Sequence, residues 1–296
     1  MAFFLQVLVY GIGLGSIYAL FSLGFTLVFG ILKVLNLAHG GIYMLAAVIA
    51  YTLINSLGLN VVVGFLIACI IAGLVGILQD LILFRPLRLR GITGFELPPF
   101  IGSIAFNGII MYGVVFFFGA ETRAFGFSVV PETNLGIGAI NVSSNLLIAT
   151  TISIALMAGL YYLVHNTRTG KAMRAIAERE DAARLMGISV NRIIMATLFI
   201  SSFLGGVAGV LNGMFLGDVS FSMGGPILLK GLCVIMTGGI GSIRGTLFAG
   251  FLLGIIETFF NGFGLTLWSP VVAFAAVFII LYFKPTGIMG KERLAI

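Results

Sequence analysis

Charged side chains are scarce in this chain. Only 9% of its 296 residues are Asp, Glu, Lys or Arg, whereas soluble proteins carry about 25%. Hydrophobic residues make up 60%, so a soluble fold would lack the polar side chains needed to cover its surface. Apolar runs near the ~20 residues that a helix needs to cross a bilayer recur along the whole length. Because lipid forces backbone groups to be satisfied internally, this composition predicts an all-α polytopic membrane protein.

Residues that build disulfides, metal sites and catalytic centres are equally few. Cys69 and Cys233 both lie inside apolar segments, so no disulfide framework is expected. Two histidines and no carboxylate cluster leave neither a metal site nor a nucleophile constellation. No phosphate-binding G-x-x-x-x-G-K-[ST] loop occurs, because GGIGSIRGT at 238–246 lacks the lysine. We therefore expect no catalytic residue, no metal and no cofactor in this chain, and no enzyme activity.

Hydropathy predicts nine spans, some of them broken, with eight or ten as close alternatives. Their bounds are 3–30, 41–57, 60–84, 97–118, 144–165, 192–216, 226–242, 246–260 and 267–284. The first would be ~42 Å long against a hydrocarbon core of ~30 Å, so it is either tilted or broken at Gly11, Gly13 or Gly15. The short pair 226–242 and 246–260 is either two spans or two half-helices that meet within the membrane. We treat residues 1–296 as a single transmembrane domain.

Basic residues mark alternate loops. They occur at Arg85, Arg88, Arg90, Arg168, Lys171, Arg174, Arg179, Arg184, Arg192, Arg244, Lys284, Lys291 and Arg293. The other loops carry Glu121 and Glu132 around Arg123, and Asp218. The positive-inside rule then makes the basic loops and the C-terminus cytoplasmic, and nine spans place the N-terminus outside. No basic region precedes the first apolar run, so we expect a retained span and not a signal peptide.

The cytoplasmic loop at about 166–191 has the composition of a surface helix. It contains two opposite-charge pairs at i,i+4, Arg174 with Glu178 and Glu180 with Arg184, and Gly187 is expected to end it. A weakly apolar face is expected to suit docking into a groove on another protein. Its residues are Ala175, Ala182, Ala183 and Met186. The alternative is an ordinary solvated loop.

Asn36 and His39 lie between two strongly apolar segments, with Gly40 and Gly41 directly after them. Polar residues at membrane depth are costly and usually face a cavity or each other, and a glycine pair permits a helix break beside a pathway. The alternative is that Asn36 and His39 mark a cytoplasmic helix end beside Lys33.

Three further polar residues lie inside predicted spans: Asn107, Lys230 and Glu257. Lys230 and Glu257 either pair with each other or flank the path of a zwitterionic solute. Asn107 is either an interhelical hydrogen-bonding residue or a pathway contact. Gln79 and Asp80 are expected to cap the cytoplasmic end of the third span near Arg85.

Two patterns resemble a known family. Asp181-Ala182-Ala183 followed by Gly187 is similar to the EAA loop of ABC importer permeases, with Asp in place of Glu. The sequence NLAHG at 36–40 resembles the signature of permeases of branched-chain amino acid ABC transporters, the LivH-like branch in particular. Four longer stretches extend the resemblance: FSLGFTLVFG at 21–30, TRTGKAMRAIAERED at 167–181, GGIGSIRGTLFAG at 238–250 and KPTGIMG at 284–290.

The resemblance implies an inner-membrane permease with a type II ABC importer arrangement. Its partners would be a second related permease, two cytoplasmic ATPase subunits that bind ATP and Mg²⁺, and a periplasmic substrate-binding protein. The coupling residues would be Arg179, Glu180, Asp181, Ala182, Ala183, Met186 and Gly187. The pathway candidates would be Asn36, His39, Gly40, Asn107, Lys230 and Glu257.

The expected cargo is a branched-chain amino acid or a related small polar solute, and no motif separates amino acids from urea, short amides or aromatic acids. The alternative function is a passive channel or an ion-coupled secondary transporter for a small solute such as urea. We expect Gly187→Pro or Ala183→Arg to leave the protein inserted but uncoupled from ATP hydrolysis.

Overall fold

The computed structural model describes residues 2–91, 97–125, 134–137 and 140–290. The predicted loop position of Glu132 and the predicted tail positions of Lys291 and Arg293 lie outside the described residues.

The described chain is mainly helical. Its helices are α1 Ala2–Leu32, α2 Ala38–Tyr51, α3 Val61–Gln79, α4 Arg85–Leu89, α5 Leu97–Phe118, α6 Ser144–Asn166, α7 Arg168–Glu178, α8 Glu180–Leu185, α9 Val190–Leu216, α10 Gly224–Gly238, α11 Ile243–Gly262 and α12 Ser269–Phe283. A π-helical turn, Thr52–Ser56, extends α2, and a second one, Asp80–Phe84, joins α3 to α4. Two antiparallel pairs of short strands complete the described structure: β1 Arg123–Ala124 with β4 Asp218–Val219, and β2 Asn134–Ile137 with β3 Ile140–Ser143.

Each of the predicted spans coincides with a helix. Within the described residues, seven helical segments are long and apolar enough to cross a membrane. The apolar helices α10 and α12 have 15 residues each, or ~22 Å, which is less than the ~30 Å hydrocarbon core. The first span is a single continuous helix, so the alternative break at its glycines is not observed. This architecture confirms the all-α polytopic class.

Helix α1 lies at the centre of the bundle. Its most apolar window is 94% buried, whereas that of α5 is 17% buried. A helix that is hydrophobic on all sides is stable when neighbours surround it, and α1 packs along α11, α9, α6 and α10. Close approach is needed here: a Cβ on Gly15 would lie 2.8 Å from Cα of Phe251 in α11. The outer face of α5, with Phe116 and Phe117, remains exposed to lipid or a partner.

Two glycine-rich sequence motifs form one structural unit. The turn after α10 is made by Gly239, whose φ of 100° is a left-handed conformation that favours glycine. The segment after α12 folds back onto this turn, where the Ile288 amide donates to the Thr237 carbonyl (2.7 Å) and the Met289 amide to that of Gly238 (3.1 Å). The stretches 238–250 and 284–290 therefore have a packing role.

One end of the bundle gathers the α1–α2 turn, α4 and the α7–α8 arm, and we call it the basic end. The opposite end carries the β1–β4 pair. There Arg123 donates to the Phe118 carbonyl (2.6 Å) and stacks over Tyr51. The basic residue predicted for that end is thus engaged by the ends of α5 and α2.

Candidate functional site

The cytoplasmic loop predicted at 166–191 forms two helices and not one. Helix α7 ends at Glu178 and α8 begins at Glu180, because Arg179 between them has an extended backbone (φ −149°, ψ 108°). Gly187 follows α8 with φ 79°, a left-handed conformation, so the helix ends at the glycine predicted to end it. The loop is therefore an arm of two short helices that protrudes from the basic end.

One of the two charge pairs predicted in this arm is formed, and the other is not. Glu180 and Arg184 form the predicted i,i+4 pair, with Oε1 and Nη2 2.6 Å apart. Arg174 does not pair with Glu178, because its guanidinium donates to the Val164 carbonyl in the last turn of α6. The last carbonyls of a helix lack intrahelical partners, and Arg174 supplies a hydrogen-bond donor to one of these carbonyls.

The predicted docking face is split by the structure. Ala183 is buried at 3% exposure and faces the body of the same chain. Leu185 and Met186 are 88% and 82% exposed, and we call these two residues the docking tip. The sequence identified Met186 but missed Leu185. The sequence analysis also placed Ala183 on the docking face, because it assumed one continuous helix.

Asn36 lies in the turn between α1 and α2 and pairs with the amide of Gln79. Asn36 Nδ2 donates to Gln79 Oε1 (3.0 Å), and Gln79 Nε2 donates to Asn36 Oδ1 (2.6 Å). Asn36 Oδ1 also accepts from the Ala38 amide at the start of α2 (3.2 Å). The helix break lies between Leu32 and Ala38 and contains Asn36, whereas Gly40 and Gly41, which could have permitted a break, lie inside α2. The geometry matches the alternative in which Asn36 marks a helix end.

His39 is fully buried and joins three helices. Its Nε2 lies 3.2 Å from the Phe21 carbonyl of α1, so this nitrogen carries the proton. The ring stacks on Phe25 (5.8 Å between centroids), and both Gly24 and Gly205 face it without a side chain. A larger residue at either glycine would collide with the imidazole.

The neighbouring pathway candidates are also packed between helices. A Cβ on Gly40 would lie 2.5 Å from the Gly224 carbonyl oxygen of α10. Asn107, half-buried in α5, places its Oδ1 against Gly41. These contacts show where α2 meets α5 and α10, and a role for Gly40 or Asn107 in a pathway stays a prediction.

Lys230 and Glu257 form an ion pair inside the bundle. Lys230 Nζ donates to Glu257 Oε1 (2.6 Å) and to the Tyr18 hydroxyl (2.7 Å), and that hydroxyl donates to Glu257 Oε2 (3.0 Å). Lys230 also lies over the Tyr18 ring, 4.8 Å from its centroid. This triad joins α10, α11 and α1. Sequence reasoning missed Tyr18, because a tyrosine inside an apolar run is ordinary.

A second buried ion pair, Asp80 with Arg88, was missed. Arg88 Nη1 lies 2.9 Å from Asp80 Oδ1, and the two side chains are 9% and 1% exposed. The predicted capping role of Gln79 and Asp80 is wrong, because the helix continues past them through its π-helical turn to Leu89. A single acid in a long apolar run requires a partner, and that signal could have found Arg88.

Comparisons with known proteins agree on one family. Residues 7–281 match the family model described as "Branched-chain amino acid transport system / permease component". The chain is 32% identical to the high-affinity branched-chain amino acid transport system permease protein BraD of Pseudomonas aeruginosa, over 98% of this chain and 97% of that protein. It is 31% identical to LivH of Escherichia coli, over 98% and 97% of the two chains. A probable branched-chain amino acid permease LivH of Methanocaldococcus jannaschii is 27% identical, over 94% and 90%.

Proposed function

This chain belongs to the family of branched-chain amino acid transport system permease components, and from that premise we propose that it imports branched-chain amino acids or related small polar solutes with energy from ATP. The chain itself is the multi-pass permease subunit of the ABC importer and not an enzyme.

The docking tip is the observation that carries the mechanism. Leu185 and Met186 are large apolar side chains, exposed on a cytoplasmic arm that already buries Ala183, Met173 and Ile176 against its own chain. An arm of two helices anchored in this way can pass the movement of a partner to the bundle as a rigid body. The acceptor would be a cleft on an ATPase subunit, whose ATP and Mg²⁺ sites are absent from this sequence.

The full importer would contain a second related permease, two ATPases and a periplasmic substrate-binding protein. The exposed apolar faces of α5 and α12, including Phe117 and Phe283, are available to lipid or to the second permease. Irregular packing around a buried α1 supports the type II arrangement. The permease would lie in the inner membrane with its basic end and C-terminus in the cytoplasm, as the distribution of Lys and Arg predicts.

The rival mechanisms find less support. An ion-coupled transporter needs an intramembrane carboxylate that is free to bind the coupling ion. Glu257 is engaged at both oxygens by Lys230 and Tyr18. The function of a passive channel does not require an exposed apolar docking tip outside the membrane.

The test is an affinity purification of the tagged chain from native membranes, with its partners identified by mass spectrometry. We expect a P-loop ATPase and a second permease. The paired change Leu185→Ser and Met186→Ser should lose the ATPase but keep the permease. Leu89→Ser is the matched control, because Leu89 is another largely exposed leucine (73%) at the basic end outside the arm. Recovery of the wild-type chain alone, still moving solute in liposomes, would overturn the proposal.

A further inference from the structure

A cavity of about 470 Å³ opens at the basic end, between the end of α1, α4 and the α7–α8 arm. This volume lies within the usual range for small-molecule sites, ~300–1,000 Å³. Its apolar walls include Ile31, Val34, Phe84, Leu87, Ile176 and Ile194. Charged side chains from three separate elements line the rest of it.

The first of these charged groups is Arg88. Its side chain is 9% exposed, and it contacts Asp80 without hydrogen-bond geometry. Nε, Nη1 and Nη2 all lack a hydrogen-bond partner among the residues that the structure describes. Buried guanidinium groups are normally bonded, because an unmade charged hydrogen bond is costly. These three nitrogens are themselves shielded from solvent, so Arg88 contributes an ion-paired positive charge behind the cavity wall and not open donors.

The second group is Lys33, which follows α1 and lines the same cavity. Its φ of 56° makes it the only non-glycine residue with positive φ in the described part of the chain. Strained backbone conformations of this kind concentrate at functional sites. Lys33 is half-buried and forms no ion pair among the described residues, so its ammonium can bind a carboxylate at this cavity.

Helix α8 brings three further charged side chains to the cavity, Glu180, Asp181 and Arg184. Glu180 and Arg184 pair with each other, whereas Asp181 has no ion pair among the described residues. A cavity that offers an unpaired ammonium, an unpaired carboxylate and apolar side chains matches a zwitterion with an apolar side chain. We propose that this cavity binds the apolar amino acid on the cytoplasmic side, with its carboxylate at Lys33, beside the Arg88–Asp80 pair, and its ammonium at Asp181.

The inference rests on the proposed function for its orientation and for its ligand class, and it adds a regulatory consequence. The ligand would bridge α8, which carries Asp181, to α4 and the end of α1. Bound in this way, it would hold the arm that is expected to follow the ATPase. Accumulated product would therefore slow further import.

Equilibrium binding of radiolabelled leucine to the purified complex, without ATP and without the periplasmic binding protein, tests the site directly. We expect saturable binding, with acetate, isopentylamine and inorganic phosphate competing at least about tenfold more weakly, because each offers only part of the zwitterion. Lys33→Gln and Asp181→Asn should each weaken binding about tenfold, the effect of one lost charged hydrogen bond. Arg85→Gln is the control, because Arg85 faces a different cavity that Arg88 does not line. Equal loss in Arg85→Gln, or phosphate outcompeting leucine, would overturn the zwitterion site.

A transport assay separates this inference from the proposed function. Proteoliposomes that contain the full importer are given ATP, and initial uptake is compared with and without leucine on the ATPase side. The wild type should slow several-fold with leucine present, and the ratio should approach one in Lys33→Gln and Asp181→Asn. Uptake that needs ATP but is insensitive to leucine would overturn the cavity site and leave the importer standing. Uptake that does not need ATP would overturn the proposed function itself.

Discussion

Within the part of the chain that the structure describes, two buried ion pairs lie inside the bundle, and they differ in how completely they are hydrogen-bonded. The pair Lys230–Glu257 is completed by Tyr18, so that three side chains from three helices satisfy one another. The pair Asp80–Arg88 has a comparable separation of 2.9 Å but leaves the guanidinium donors unused. The first pair lies between packed helices, whereas the second lies between two cavities at the basic end.

The difference indicates what each pair can do. A buried pair whose hydrogen bonds are complete fixes its helices relative to one another, and losing one partner is costly. An incompletely bonded pair beside a cavity can change partner. We therefore expect the triad to fix its helices in place and the Asp80–Arg88 pair to border a binding site.

The largest loss of stability is expected from Lys230→Met. This change leaves Glu257 buried without its counter-charge, at a cost of about 3–5 kcal/mol in the free energy of unfolding. The double variant Lys230→Met with Glu257→Leu should recover most of that loss, because no unpaired charge remains. Unfolding in mixed detergent micelles measures both. A double variant as unstable as the single one would show that the pair is not the source of the effect.

A smaller loss is expected from Arg88→Met, roughly 2–3 kcal/mol, because Asp80 borders a cavity that can admit water. The same unfolding measurement gives the value, with Arg85→Met as the control on the same short helix. If Arg88→Met cost more than Lys230→Met, the contrast between the two pairs would be wrong.

The uncharged pair Asn36–Gln79 is a reference for the two ion pairs, because it is buried and carries no charge. Asn36→Ala removes one side of a double amide hydrogen bond and leaves the Gln79 amide unsatisfied, at a cost of about 1–2 kcal/mol. Thermal unfolding of Asn36→Ala, Gln79→Ala and the double variant forms a cycle. Purely additive losses would mean that the two amides do not depend on each other.

The smallest effect on stability is expected at the docking tip. Met186→Ser should change the free energy of unfolding by less than about 0.5 kcal/mol, because the side chain is exposed, yet lower ATP-driven uptake about tenfold or more. Ala183→Arg is expected to destabilise the arm itself, because Ala183 is buried at 3% exposure. The sequence-based expectation was that Ala183→Arg leaves the protein inserted and only uncouples it from ATP hydrolysis, and the burial of Ala183 adds a loss of stability to that effect. Unchanged uptake in Met186→Ser would count against docking.

Much of the fold could be predicted from the composition and from the length of the apolar runs. The spans follow from apolar length, and the stop at Gly187 follows from glycine's access to left-handed backbone. The turn between α7 and α8 was not predicted, because residues 167–187 are mostly good helix formers. No neighbouring Gly or Pro indicates that the backbone of Arg179 is extended. The partners of Asp80 and Asn36 come from tertiary packing: a π-helical turn carries α3 onward to Arg88, and the α1–α2 turn brings Asn36 to Gln79.

The most direct test of the account is uptake of radiolabelled leucine into proteoliposomes that contain this chain and its co-purifying partners. We predict uptake that requires ATP, the ATPase and the periplasmic binding protein, and that Leu185→Ser with Met186→Ser reduces by about tenfold or more. Leucine entry through this chain alone, without ATP, would contradict the permease mechanism and favour a channel.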